Sequence, residues 1–211
     1  MTTTPNARDL VVLVADKNME ACVQGLLSKP KSLQISEIDS AIYVHPGRDA
    51  GCHLRAHDFL AGFARQFRKS IIIHDRDGCG RENVERTELE SNVESRMEQA
   101  GWKDDRCCAV VIDPELEAWV WSDSPHVADV LGWDEGLDDL RKWVISQEVV
   151  FNDRGKPSDP KLAVEKVLRR MRTPRSSSIY RELAERVSTR RCRDLAFEKF
   201  TSTLRRWFPI R

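Results

Sequence analysis

No stretch of this 211-residue chain approaches the roughly 18 consecutive apolar residues of a membrane span, and residues 1–8 lack the apolar segment of a secretory leader. Its six cysteines (Cys22, Cys52, Cys79, Cys107, Cys108 and Cys192) include no C-x-x-C pair, which argues against a disulfide framework and for reduced thiols. These absences lead us to expect a soluble cytoplasmic protein with no membrane partner. The glycine patterns that cradle nucleotide phosphates, G-x-x-x-x-G-K-[ST] and G-x-G-x-x-G, are missing, as is the G-x-S-x-G elbow of serine hydrolases. His53 and His57 lie one helical turn apart without the glutamate of H-E-x-x-H, and with His45 and Cys52 they match no closed zinc pattern.

What the chain does have is a repeated apolar strand with a polar exit. Segments 9–15 (DLVVLVA), 41–44 (AIYV), 70–73 (SIII) and 107–112 (CCAVVI) are nearly continuous in apolar residues, as strands covered on both faces require. Between them, amphipathic patterns predict helices over 19–28, 53–68 and 87–100. Strand, turn and helix in this order are the grammar of a parallel sheet joined by right-handed crossovers. The expected fold is therefore α/β, with four mainly parallel strands, over residues 1–132. Residues 133–211 read as a helical C-terminal subdomain with helices near 137–145, 160–171, 179–187 and 192–208.

Charge divides along the same boundary. The chain is neutral overall, yet residues 1–140 hold 15 Lys and Arg against 26 Asp and Glu (−11), and residues 141–211 hold 19 against 8 (+11). An acidic front suits cation binding and a basic tail suits a polyanion or an acidic partner. The amphipathic final helix carries Arg190, Arg191, Arg193, Arg205 and Arg206, which with Arg48 in the Gly-flanked 45–53 loop are candidates for contacting nucleic-acid phosphates.

The sharpest signal is Ser70 to Gly80, SIIIHDRDGCG, where Asp75 and Asp77 leave a buried strand ahead of Gly78 and Gly80. Ligands of open α/β sheets bind at the carboxyl ends of the strands. Like charges there raise each other's pKa unless a cation lies between them, and Mg²⁺ commonly takes one or two carboxylates plus substrate phosphates. The bland reading of D-x-D-G is turn chemistry. Carboxylates at the other exits, Asp16 after the first strand and Asp113, Glu115 and Glu117 after the fourth, weigh against turn chemistry alone.

IIIHDRDG followed by VIDPELEAWVWSD makes residues 9–125 resemble the Toprim-like proteins of bacterial phage-defence systems, among them relatives of the overcoming-lysogenisation-defect nucleases and small proteins of methylation-associated defence islands. The resemblance implies a Toprim-like sheet and Mg²⁺- or Mn²⁺-dependent cleavage of nucleic-acid phosphodiesters, DNA before RNA. By position Asp75 and Asp77 correspond to the family D-x-D, and Glu115 and Glu117 to its later acidic motif, giving four candidate metal ligands. The family glutamate after the first strand aligns with Ala15, so Asp16, Lys17 and Glu20 are the candidate catalytic groups near it. With Ala15 in that place, a non-catalytic adaptor docking onto other defence-system proteins is the alternative expectation.

Overall fold

A computed structural model of the chain describes residues 7–189 and 192–210. Four strands, β1 (Arg8–Val14), β2 (Ser40–Val44), β3 (Phe67–Asp75) and β4 (Cys107–Ile112), form one sheet in the order β2-β1-β3-β4. Every pairing is parallel, including Val14 with Val44, Val14 with Ile73 and Ile73 with Val110. The sheet is thus wholly parallel, as near-continuous apolar strands demand once helices cover both faces.

Among the described residues ten α-helices follow in chain order: α1 (Lys17–Leu27), α2 (Pro30–Leu33), α3 (Arg48–Leu60), α4 (Arg86–Gln99), α5 (Glu117–Val120), α6 (His126–Leu131), α7 (Leu137–Ser146), α8 (Pro160–Arg170), α9 (Ser177–Arg186) and α10 (Leu195–Trp207). The chain moves from β1 outward to β2, then crosses back over β1 to β3 and on to β4. With right-handed crossovers this reversal puts α1 on one face and α3 with α4 on the other. The helix expected over 53–68 instead runs from Arg48 to Leu60 and gives way to a short 3₁₀ turn. Phe67 and Arg68 open β3, where Phe67 sits opposite Arg8.

The C-terminal helices complete this framework. Ile179, Tyr180, Leu183 and Ala184 of α9 and Phe197, Phe200 and Leu204 of α10 belong to the same apolar cluster as β1, β3 and β4. α9 lies so close to α1 that a Cβ on Gly25 would come within 2.7 Å of the Arg181 carbonyl and 2.8 Å of the Ala184 Cβ. The core therefore runs straight through the boundary expected at residue 132, because α1 alone cannot cover its face of the sheet.

α10 runs antiparallel to β4. Its N-cap Asp194 accepts from the Trp119 indole beyond the end of β4, Thr203 meets Cys108, and Arg206 and Trp207 reach Asp105 ahead of the strand. The open edge of β4 is guarded as well: Glu94 accepts from the Ala109 N–H and Glu90 from the Val111 N–H, and Lys199 of α10 pairs with both carboxylates. These contacts occupy backbone donors that would otherwise invite another strand.

Candidate active site at the strand switch point

The reversal of strand order occurs between β1 and β3, and a crevice opens at their carboxyl ends, the place where open α/β sheets bind ligands. Val14 pairs with Ile73, so Asp16 and Asp75, each two residues further on, leave adjacent strands at the same level. The crevice is lined by Asp16, Asp49, Asp75, Asp77, Glu115 and Glu117, with Arg48, Lys161 and Arg175 among them. Parallel pairing gathers carboxylates that are far apart in sequence.

Asp75 is the centre of this group. Its backbone N–H donates to Asp49 Oδ1 at 2.8 Å, while its own Oδ1 is buried without a hydrogen-bond partner. Burial, reinforced by Asp49, Glu117, Asp16 and Glu115, pushes the Asp75 carboxyl well above the usual carboxylate range. Asp49 is likewise raised, chiefly by burial, with the Asp16 charge adding to it and two backbone hydrogen bonds opposing it. The Cys52 thiol, one helical turn after Asp49, is held protonated by burial and by the same three aspartates. Asp49 was missed in the sequence because it follows Gly47 and Arg48 in what reads as a loop; its signal was an acid in the first turn of a helix, where the helix dipole favours negative charge.

Asp16 also caps α1, its Oδ1 accepting from Met19 N–H at 2.8 Å. Lys17 and Glu20 pair with each other at 2.7 Å, and neither is among the side chains lining the crevice. Asp77 is exposed on the rim, its N–H held by the Pro114 carbonyl at 3.0 Å. Gly78 and Gly80 take positive φ (83° and 81°), and both N–H groups donate to Glu82, so the D-x-D-G exit is a turn as well as a carboxylate platform.

Glu115 and Glu117 enter the crevice already neutralised. Glu115 accepts from the Lys161 backbone N–H at 3.2 Å and from its ammonium at 3.0 Å. Burial raises the Glu115 carboxyl, and the Lys161 hydrogen bond opposes that. Glu117 is held by the Arg175 guanidinium and the Tyr180 hydroxyl. Arg175 also contacts Tyr180 at 2.9 Å and Glu165 at 3.2 Å. The two candidate ligands Glu115 and Glu117 thus already have counter-ions, which α8 and the segment joining it to α9 bring from 46 and 58 residues away.

The expected arginines separate into two ends. Arg48 lines the crevice with its backbone at φ 51°, and Arg193 lies near the carboxyl end of β4, just before α10. Arg205 and Arg206 sit at the opposite end of the sheet, Arg205 on the Leu33 carbonyl and Arg206 on Asp105, because α10 runs the full depth of the fold. They cannot share a surface with the crevice. Arg190 and Arg191 lie outside the described residues. Trp119 and Trp121 are buried and pack the C-terminal helices, Trp119 against Phe197 and Phe200.

The donor set fits a hard divalent cation in kind: oxygen donors only, one of them buried and unpartnered. In placement, no three His, Cys, Asp or Glu side chains among the described residues stand close enough to form a ready-made metal cage. Mg²⁺ commonly keeps most of its waters and takes one or two carboxylates, so the residues present would fit it only as an open site. Among the described residues, no helix is long and apolar enough to cross a membrane. No family model, curated protein or solved structure matches this chain, so the side chains of the crevice carry the functional reading by themselves.

Proposed function

We propose that the chain is a Toprim-like, divalent-cation-dependent nuclease of an antiphage system, with Asp75 and Asp49 holding Mg²⁺ or Mn²⁺ at the switch point. The observation that carries this reading is the buried, unpartnered Oδ1 of Asp75, whose carboxyl feels the charges of Asp49 and Asp16. A cation there would supply Lewis-acid polarisation of a phosphate oxygen. Asp16, two residues past Val14 as Asp75 is past its partner Ile73, would accept a proton. Arg48 offers a phosphate donor from the wall, since Lys161 and Arg175 are engaged by Glu115 and Glu117. Asp77 on the rim is a third carboxylate available to the ion.

Titration with Mg²⁺ and Mn²⁺ by calorimetry, followed by incubation with plasmid and single-stranded DNA, tests this. Ion uptake and cutting that both disappear in Asp75→Asn support it; neither uptake nor cutting in the wild type overturns it.

A second reading has its own support. Glu115 and Glu117 are consumed by Lys161 and Arg175, and Ala15 stands where the resemblance places a glutamate. On this reading the chain is a non-catalytic adaptor that docks onto other defence-system proteins. Recovery from cells wholly within a stable hetero-complex, together with absent ion uptake, favours it over the nuclease.

A further inference from the structure

On the far side of the Asp113–Ala118 segment from the acidic crevice lies a second, polar cavity, lined by Arg86, Asn152, Arg154, Lys156, Ser158 and Arg193. The two are neighbours: Pro114 lines the cavity, and its carbonyl accepts the N–H of Asp77 in the crevice. Lys156 is the unusual member. Its side chain is buried, with the residue only 6% exposed, and its ammonium donates to the carbonyls of Ala118 at 2.7 Å and Trp121 at 2.6 Å. Cys192 Sγ lies 3.8 Å away. Among the described residues no carboxylate is within ion-pair distance of it.

A buried charge normally has an opposite charge beside it. The two carboxylates lining the cavity are engaged elsewhere, Asp113 with Arg76 and Asp194 capping α10 while accepting from Trp119, and the carboxylate that Lys156 and Arg193 act on is Asp123, itself hydrogen-bonded by Arg141. Arg86 is bound to Glu90. Arg154 and Arg193 are exposed at the cavity. The cavity is therefore a polar recess with two exposed guanidinium groups, those of Arg154 and Arg193, and a buried ammonium held by Ala118, Trp121 and Cys192, a cationic set suited to an oxyanion.

We propose that this cavity binds a phosphate group of a polynucleotide backbone, beside the phosphodiester taken by the acidic crevice. The position relative to a scissile phosphate rests on the nuclease reading; the phosphate site itself does not. The test is binding of a labelled single-stranded 15-mer, read by fluorescence anisotropy in EDTA, so that no metal contributes. Arg154→Glu with Arg193→Glu weakens binding by about tenfold or more and lowers the slope of log K against log salt by roughly 1.4, two phosphate contacts on a single strand. Arg205→Glu with Arg206→Glu, the same charge change at the opposite end of the fold, alters affinity by less than about twofold. Wild-type-like far-UV circular dichroism and a cooperative melt well above the assay temperature in both variants show that the fold is intact.

Wild-type-like binding by the first variant, an equal loss in the second, or no binding by the wild type overturns the proposal. Binding of inorganic phosphate without the oligonucleotide overturns the polynucleotide assignment and leaves a free-anion site. If the wild type binds the oligonucleotide but never cuts it with Mg²⁺, the nuclease reading fails while this site stands.

Discussion

Glu115 and Glu117 on one side of the crevice carry the same charge as Asp49 and Asp75 on the other, yet the two sets are satisfied by different means. The glutamates meet Lys161, Arg175 and Tyr180, contributed by helices packed onto the sheet. The aspartates meet each other, and their carboxyls are raised by burial and by mutual repulsion. The difference teaches that an acidic crevice is not uniformly a cation site. The glutamate side is structural, fixing the C-terminal helices to the end of β4, and the aspartate side has no lysine or arginine within ion-pair distance among the described residues.

Breaking the glutamate side has the largest expected effect. Arg175→Met leaves Glu117, whose side chain is 3% exposed, with Tyr180 as its remaining partner. Removing one member of a buried pair is strongly destabilising; because Arg175 is itself one-third exposed, we expect a loss of about 2–4 kcal/mol in urea unfolding. Adding Glu117→Gln restores most of it, and the double-mutant cycle measures the coupling.

On the aspartate side, saturating Mg²⁺ stabilises the wild type by about 2.7 kcal/mol at one hundred times Kd. Asp75→Asn abolishes that gain and Glu115→Gln keeps it, as thermal melts with and without the ion will read. A gain that survives Asp75→Asn places the ion elsewhere.

The pH dependence sharpens the same contrast. The folded-state pKa of Asp75 is raised, so its stabilising effect is full below the ordinary aspartate value and is lost as pH rises through the folded value. Without divalent ions, Asp75→Asn should therefore melt higher than the wild type at pH 7.5, by roughly 2–4 °C for each 1 kcal/mol in a chain of this size, and the advantage should shrink toward pH 4. A variant that melts lower at pH 7.5 would show that the carboxylate is not strained by its neighbours. The smallest effect belongs to Lys161→Met: its side chain is 47% exposed, so losing its pair with Glu115 should cost about 0.5–1 kcal/mol.

Much of the framework was legible in the residues. Cys107–Ile112 reads as a strand and is β4, and the first strand differs by one residue at each end, because unbroken β-branched runs have few other ways to be buried. The helix read over 53–68 overran, since Phe63 and Phe67 continue a helical spacing although Phe67 belongs to β3. Asp75 was legible as a strand-exit carboxylate. Its partner Asp49 was not, because their contact spans 26 residues and depends on where α3 begins.

By itself the sequence determined that the strands are apolar and parallel and that each ends in polar or charged groups, since apolar continuity and the strand-helix alternation are local properties, although the edge strand β2 is only half-buried. Only the tertiary structure decided which of those charges meet. Strand order set Asp16 level with Asp75, and the docking of the segments around α8 and α9 delivered Lys161 and Arg175 to the glutamates, leaving the aspartates unpaired. Coulomb interactions act through space, so the charge of the crevice follows from distances that no neighbouring residues in the chain encode.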